Sequence, residues 1–196
     1  MKSTVLTVGH SNHTLEHFLQ IVRANQVTAV ADIRSEPYSA YASQFNREAL
    51  KSFLEDSGVN YVFLGAELGA RPQDPACYRN GKVQFKLMAA TALFRKGLER
   101  IVSGSKNHCI AMMCTENDPL KCHRSVFISR ELEALGAEVS HILEDGSVES
   151  QEQAMDRLLE QCGLPKEDLF RTRAEIIEDA CARQEQKLAF VNDGIA

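Results

Sequence analysis

The sequence predicts an α/β fold: a single domain with a mainly parallel five-stranded sheet covered by helices, plus two C-terminal helices. Three observations predict it. Five short apolar runs rich in β-branched residues alternate with segments of helical period. Parallel neighbours need a crossover connection, and the intervening helices supply it. A hydrophobic content of 44% and a charged content of 25%, with only 11 Gly and 5 Pro, belong to a chain that packs a core. At 196 residues one well-buried domain is expected. The organisation read from the sequence is an α/β domain over 1-143 and an acidic helical extension over 144-196 packed on it.

The elements follow in order. TVLTV (4–8) is the first strand, and Leu15, Phe18, Leu19 and Val22 form a helical stripe behind Thr14 as N-cap. TAVADI (28–33) is the second strand. Asn46 caps a helix carrying Leu50, Phe53 and Leu54, which Gly58 ends, and NYVFL (60–64) is the third strand. The segment from Gly65 to about Val83 has no period and many turn residues, and is read as a lid or binding loop. Phe94, Leu98, Ile101 and Val102 mark a helix stopped near Gly104, before the strand CIAMM (109–113). A helix from about His123 to Leu135 precedes Gly136 and the fifth strand, EVSHI (138–142). Ser150 with Gln153 and Thr172 with Glu175 are capping boxes of two amphipathic helices, which pack on the body or make a homo-oligomer contact.

Charge is uneven. The net charge is −5, yet residues 144–196 carry 13 acids and 6 bases, which leaves the rest of the chain slightly basic. That argues against a broad basic surface, while a local arginine cluster keeps nucleic acid open as a partner. No stretch reaches the length of a membrane span, and the N-terminal run is too short for a signal peptide, so the expectation is a cytoplasmic protein with no membrane contact. The six cysteines are expected to be reduced thiols.

Ligands of open parallel sheets bind at the carboxyl ends of the strands. Here each strand runs into polar residues: His10, Ser11 and His13; Asp32, Arg34, Glu36 and Ser39; Glu67 and Arg71; Cys114, Glu116, Cys122, His123 and Arg124; with His141 near the end of the fifth. In MCTENDPLKCHRS (113–125), Asp118-Pro119 predicts a helix start that puts Cys122 in or near the first turn. Helix amides, His123 and Arg124 there would stabilise a thiolate, and with Arg34 and Arg71 would also hold a phosphate or carboxylate. The catalytic candidates are therefore Cys122, His123, His10, Asp32 and Cys114. Ser11, Arg34, Ser39, Arg71, Glu116 and Arg124 are candidates for substrate binding. Cys114, Cys122 and His123 are also candidate metal ligands for zinc or iron, although seven residues stand between the two cysteines, more than in paired zinc motifs. No cofactor is required by the sequence. Neither cysteine heads a compact loop closed by arginine, which separates the chain from rhodanese-type and cysteine phosphatase sites.

The segments VGHSNHTLEHF, ADIRSEPYSA, QFN, YVFLGAELGARP, CTENDPLKCHRS and VSHILEDG, in this order, resemble the bacterial domain-of-unknown-function family 488. The tail DLFRTRAEIIEDACARQEQKLAF resembles the C-terminal part of longer members. The resemblance implies an α/β fold and a site around Gly9-His10-Ser11, Asp32-Arg34, Pro37-Ser39 and Cys114 to Arg124, and no particular reaction. Three functions remain. The first is an enzyme for hydrolysis or group transfer on an anionic small molecule or nucleotide-like substrate, with Cys122 as nucleophile. The second is a Cys/His metalloenzyme, and the third a non-catalytic nucleic-acid or modified-base binding module.

Overall fold

The computed structural model describes residues 3–192 and 194. Its main sheet has five parallel strands: β1 (Thr4–Gly9), β2 (Ala29–Asp32), β3 (Asn60–Phe63), β6 (Ile110–Cys114) and β7 (Glu138–Ile142). All five predicted strands are present. A sixth, β8 (Val148–Ser150), runs antiparallel on the edge beside β7, giving the order β3-β2-β6-β1-β7-β8.

Helices cover both faces. Alternation along β6 sends Ala111 and Met113 to one side, where α1 (Leu15–Ala24) and α2 (Arg47–Asp56) bury Phe18, Ile21, Val22, Leu50 and Leu54. It sends Ile110, Met112 and Cys114 to the other, against α4 (Phe85–Ala89), α5 (Ala92–Gly104) and the helix after β6. That helix is π-helical over Arg124–Ser129 and continues as α6 (Arg130–Ala134). A third layer, α7 (Gln151–Gln161) and α8 (Arg173–Leu188), seats Leu158, Leu159, Ile176 and Ala180 on Leu120 and Val126. The apolar stripes of these two helices are thus occupied within the chain.

Local signals account for most boundaries. Thr14 accepts from the His17 amide at the start of α1, and both predicted capping boxes form. Asn46 precedes α2 but makes no side-chain cap; its Oδ1 instead accepts from the Ser39 amide at 2.7 Å. The segment read as an irregular loop holds a short helix, α3 (Gly65–Leu68), and a hairpin of β4 (Tyr78–Arg79) and β5 (Lys82–Val83). Its turn is Asn80-Gly81, with φ of 51° and 71°, the pairing that a tight hairpin requires. No helix among the described residues is long and apolar enough to cross a membrane.

Candidate thiol site

β6 is flanked by β1 and β2, so Cys114 at its end lies between the strand ends that carry His10 and Asp32. The pairing of β1 with β6 continues past the strands, with the His10 amide on Cys114 O (2.9 Å) and the Ser11 amide on Thr115 O (2.8 Å). Gly9 makes this possible. A Cβ at that position would lie 1.9 Å from the carbonyl oxygen of Glu116. Arg124 then fixes the loop from beneath, donating from Nη1 to Glu116 O (2.5 Å) and from Nη2 to Asn117 O (2.7 Å). Asp118 caps a 3-10 turn, Pro119–Lys121, and is itself bridged by Arg157 of α7 at 3.0 Å.

Cys122 follows in extended conformation, φ −139° and ψ 147°, and the helix begins at His123. The thiol therefore stands just ahead of the helix rather than within its first turn, because the Asp118-Pro119 signal caps the short 3-10 turn instead. His123 Nε2 lies 3.0 Å from the carbonyl oxygen of Leu68, which can only accept, so Nε2 carries a proton and Nδ1 faces Cys122 Sγ at 3.5 Å. Burial alone would push the Cys122 thiol up. A hydrogen bond from Cys114 and the charges of His123 and Arg124 overcome that and hold it well below the usual thiol range. Burial likewise opposes protonation of His123, but the Cys122 charge and the Leu68 carbonyl raise it. These shifts favour a thiolate on Cys122 beside a protonated His123 ring. Cys114 stays a thiol: its hydrogen bond to Cys122 and its burial raise it well above the usual range. It also lies 3.3 Å from Glu116 Oε2, a carboxyl raised by burial and by the Cys122 charge.

These groups open on a cavity of about 220 Å³ lined by Arg34, Ser35, Arg71, Cys114, Glu116, Lys121, Cys122 and His123, and closed on one side by Leu188 and Phe190. A larger groove, about 420 Å³, lies against α6, α7 and α8 and ends on Arg130, Glu178 and Glu185 rather than on thiols.

The other predicted residues form a buried support. Asp32 Oδ1 accepts from Arg34 N and Nε (3.1 and 2.9 Å), and Oδ2 from Arg34 Nη2 and the Tyr61 hydroxyl (2.6 and 2.7 Å). Arg34 also donates to Phe45 O, and its Nη1 lies 3.1 Å from His10 Nε2. His10 donates from Nδ1 to Ser11 O and stacks on Phe45 at 4.3 Å, and burial beside Arg34 lowers it to about 4. Both ring nitrogens are occupied, so His10 holds Arg34 in its neutral form and does not face the cavity. Arg124 is fully buried on its two carbonyls and offers no charge to a ligand at the rim. Ser39 closes its own loop, accepting from the Tyr41 and Ala42 amides, and the Ser11 hydroxyl turns to Asn12. His141 lies away from the site, between Thr7 Oγ1 (2.7 Å) and Gln151 Oε1 (2.6 Å).

Of the predicted anion clamp, Arg71 has its guanidinium at the cavity rim, where it pairs with Glu36 at 3.1 Å and lies over the Phe190 ring. Sequence reasoning missed Lys121, Tyr61, the Leu68 carbonyl, Leu188 and Phe190. All five lie inside segments that carry the family resemblance, and nothing in those segments singles them out.

A helix-covered, mainly parallel sheet with Cys114 at the end of a central strand and Cys122 and His123 beside it defines an α/β protein with a candidate thiol site. The chain belongs to the family described as Domain of unknown function DUF488, whose model matches residues 14–130. No curated protein and no solved structure matches it. The family match spans Asp32, Arg34, Arg71 and the whole stretch from Cys114 to Arg124, and leaves His10 just before it and Leu188 and Phe190 well beyond.

Proposed function

We propose that this protein is an enzyme that acts on an anionic small molecule or nucleotide-like substrate, by hydrolysis or group transfer, through Cys122 as nucleophile. The observation that carries the reading is Cys122 Sγ at 3.5 Å from a His123 ring whose far nitrogen is tied to Leu68 O, in a cavity edged by Arg71 and Lys121. The thiolate attacks an electrophilic carbon or phosphorus. A sulfur bond forms, the bond to the leaving group breaks, and His123 delivers the Nδ1 proton to the departing atom. Water or a second acceptor then cleaves the sulfur bond and returns a proton to His123. Arg71 and Lys121 hold the anionic group, and Asp32, Arg34 and His10 position the strand ends.

The test is the pH profile of Cys122 alkylation by iodoacetamide, followed on the peptide that carries it. With Cys122 depressed and His123 raised, the rate should fall distinctly less per unit between about pH 8 and 6 than the tenfold or so lost by an unperturbed thiol. A tenfold fall per unit in this range would overturn the reading. In His123→Gln the profile should become steeper, with Cys114 and Arg124 left as the groups that still favour the thiolate.

A second reading rests on one observation: single donor atoms of Cys114, Cys122 and His123 all lie within 4.8 Å of one another. Two thiolates and an imidazole suit zinc, or iron, and such a site would make the protein a metalloenzyme. Metal analysis of protein purified without chelator or affinity tag decides between them. A stoichiometric metal that protects both cysteines from alkylation favours the metal; full alkylation of metal-free, folded protein favours the thiolate.

A further inference from the structure

The outer wall of the thiol cavity comes from a distant part of the chain. After α8, residues 189–192 run along the β4–β5 hairpin: the Val83 amide donates to Phe190 O (3.0 Å), the Asn192 amide to Gly81 O (2.8 Å), and Lys82 pairs with Val191 in an antiparallel bridge. Lys82 Nζ also reaches Gln186 O and Oε1 at 2.6 and 3.1 Å. The segment is therefore pinned to the hairpin edge by one β-bridge and two flanking backbone hydrogen bonds, which fix its register. That register places Phe190 against the core beside the cavity, with Arg71 4.6 Å above its ring. The Arg71 amide is meanwhile held by Ser35 Oγ at 2.9 Å.

We propose that Phe190 is the specificity-determining wall of the thiol cavity: it limits the size of the group that reaches Cys122 and clamps Arg71 where the anionic part of the substrate docks. The inference rests on the reading of Cys122 as a reactive thiolate. A ring stacked under a guanidinium leaves its edge N–H groups free for a carboxylate or phosphate, and Glu36 on the same guanidinium is the partner that such an anion displaces. Substrates are then small anions whose reacting centre lies close to the charge, and bulky ones are turned away by Leu188 and Phe190.

Three probes test this on the full chain, each followed by mass spectrometry at Cys122: iodoacetamide (small, neutral), iodoacetate (small, anionic) and a fluorescein-bearing maleimide (bulky). In the first two the thiolate sulfur displaces iodide from carbon; in the third it adds across the maleimide double bond, which then takes up a proton. The native protein should favour iodoacetate over iodoacetamide relative to free cysteine, and should label slowly with the maleimide. Phe190→Ala should raise the maleimide rate by about fivefold or more, leave iodoacetamide within about twofold, and lower the iodoacetate preference by about threefold, the scale of one cation–π contact. Phe190→Leu, which keeps an apolar core side chain without the aromatic face, should lose the iodoacetate preference while keeping the maleimide slow. Unchanged maleimide and iodoacetate rates in Phe190→Ala, with brisk iodoacetamide labelling, would overturn the wall and leave the thiolate standing. Absence of iodoacetamide labelling in folded native protein would overturn the thiolate reading and this one with it.

Discussion

Asp32 and Arg34 are both buried, and a charge pair withdrawn from water survives only when its remaining hydrogen-bonding capacity is met. Tyr61, Phe45 O and His10 meet it. Asp32→Asn leaves the guanidinium with no counter-charge, and should cost about 3–5 kcal/mol in a denaturant titration. Tyr61→Phe removes one hydrogen bond to the carboxylate and should cost about 1–2 kcal/mol. If Asp32→Asn costs no more than Tyr61→Phe, the pair is not the anchor of these strand ends. Arg34 and Arg124 show why residue type alone misdirects. Arginine in a cluster reads as an anion clamp, yet both guanidiniums are turned inward by acceptors: Asp32, which the sequence displays two places from Arg34, and the Glu116 and Asn117 carbonyls, which it does not display for Arg124. Backbone carbonyls become partners only through tertiary approach.

Elements were legible where their signals were local. β-branched runs, capping boxes and positive-φ glycines such as Gly58 and Gly136 sit within a few residues of what they specify. The β4–β5 hairpin carried an equally local sign in Asn80-Gly81, and was obscured by strands of two residues, too short for an alternating pattern. β8 is polar and edge-lying, so no apolar periodicity announces it. The tight approach of β1 to the Thr115–Asn117 loop is an element-scale property resting on Gly9. Gly9→Ala pushes against the Glu116 backbone, and should destabilise the protein by about 2 kcal/mol or more while slowing Cys122 alkylation. A variant of native stability and native thiol reactivity would show that the loop can move aside. The π-helical start of the next helix is closed by Ser129 Oγ donating to Arg124 O at 2.6 Å. No sequence period marks it.

At the scale of the whole molecule, buried groups pull stability in opposite directions as pH falls: Glu185, raised by burial to about 7, gains from acid, while two histidines lose. His10 and His141 are both lowered by burial to about 4, so each is neutral in the fold near pH 5 and protonated in the unfolded chain. At these two sites the unfolded state therefore binds more protons between about pH 6.5 and 4, and each takes up to about 3 kcal/mol from stability as pH falls. His141 joins layers, taking the Thr7 hydroxyl of β1 on one nitrogen and reaching Gln151 of α7 with the other, while Gln151 donates to Ser125 O. Between pH 7 and 4.5 the thermal midpoint of His141→Gln should fall less, or rise more, than that of the native protein. The same pH profile in His141→Gln and native protein would mean that His141 protonates without opening the fold. Removing residues 144–196 strips the cover from Leu120 and Val126, and should leave a chain that loses cooperative unfolding.

The wall formed by Leu188 and Phe190 also sets an order of events in synthesis. Leu188 follows Cys122 by 66 residues. At roughly 5–20 residues per second a ribosome takes about 3–13 s to cover that distance, and the preceding strands and helices can collapse in that time. The nascent chain thus holds Cys114, Cys122 and His123 before the side chains that screen them have been made. On the proposed reading of that wall, electrophiles that the finished protein excludes can reach the sulfur during that interval.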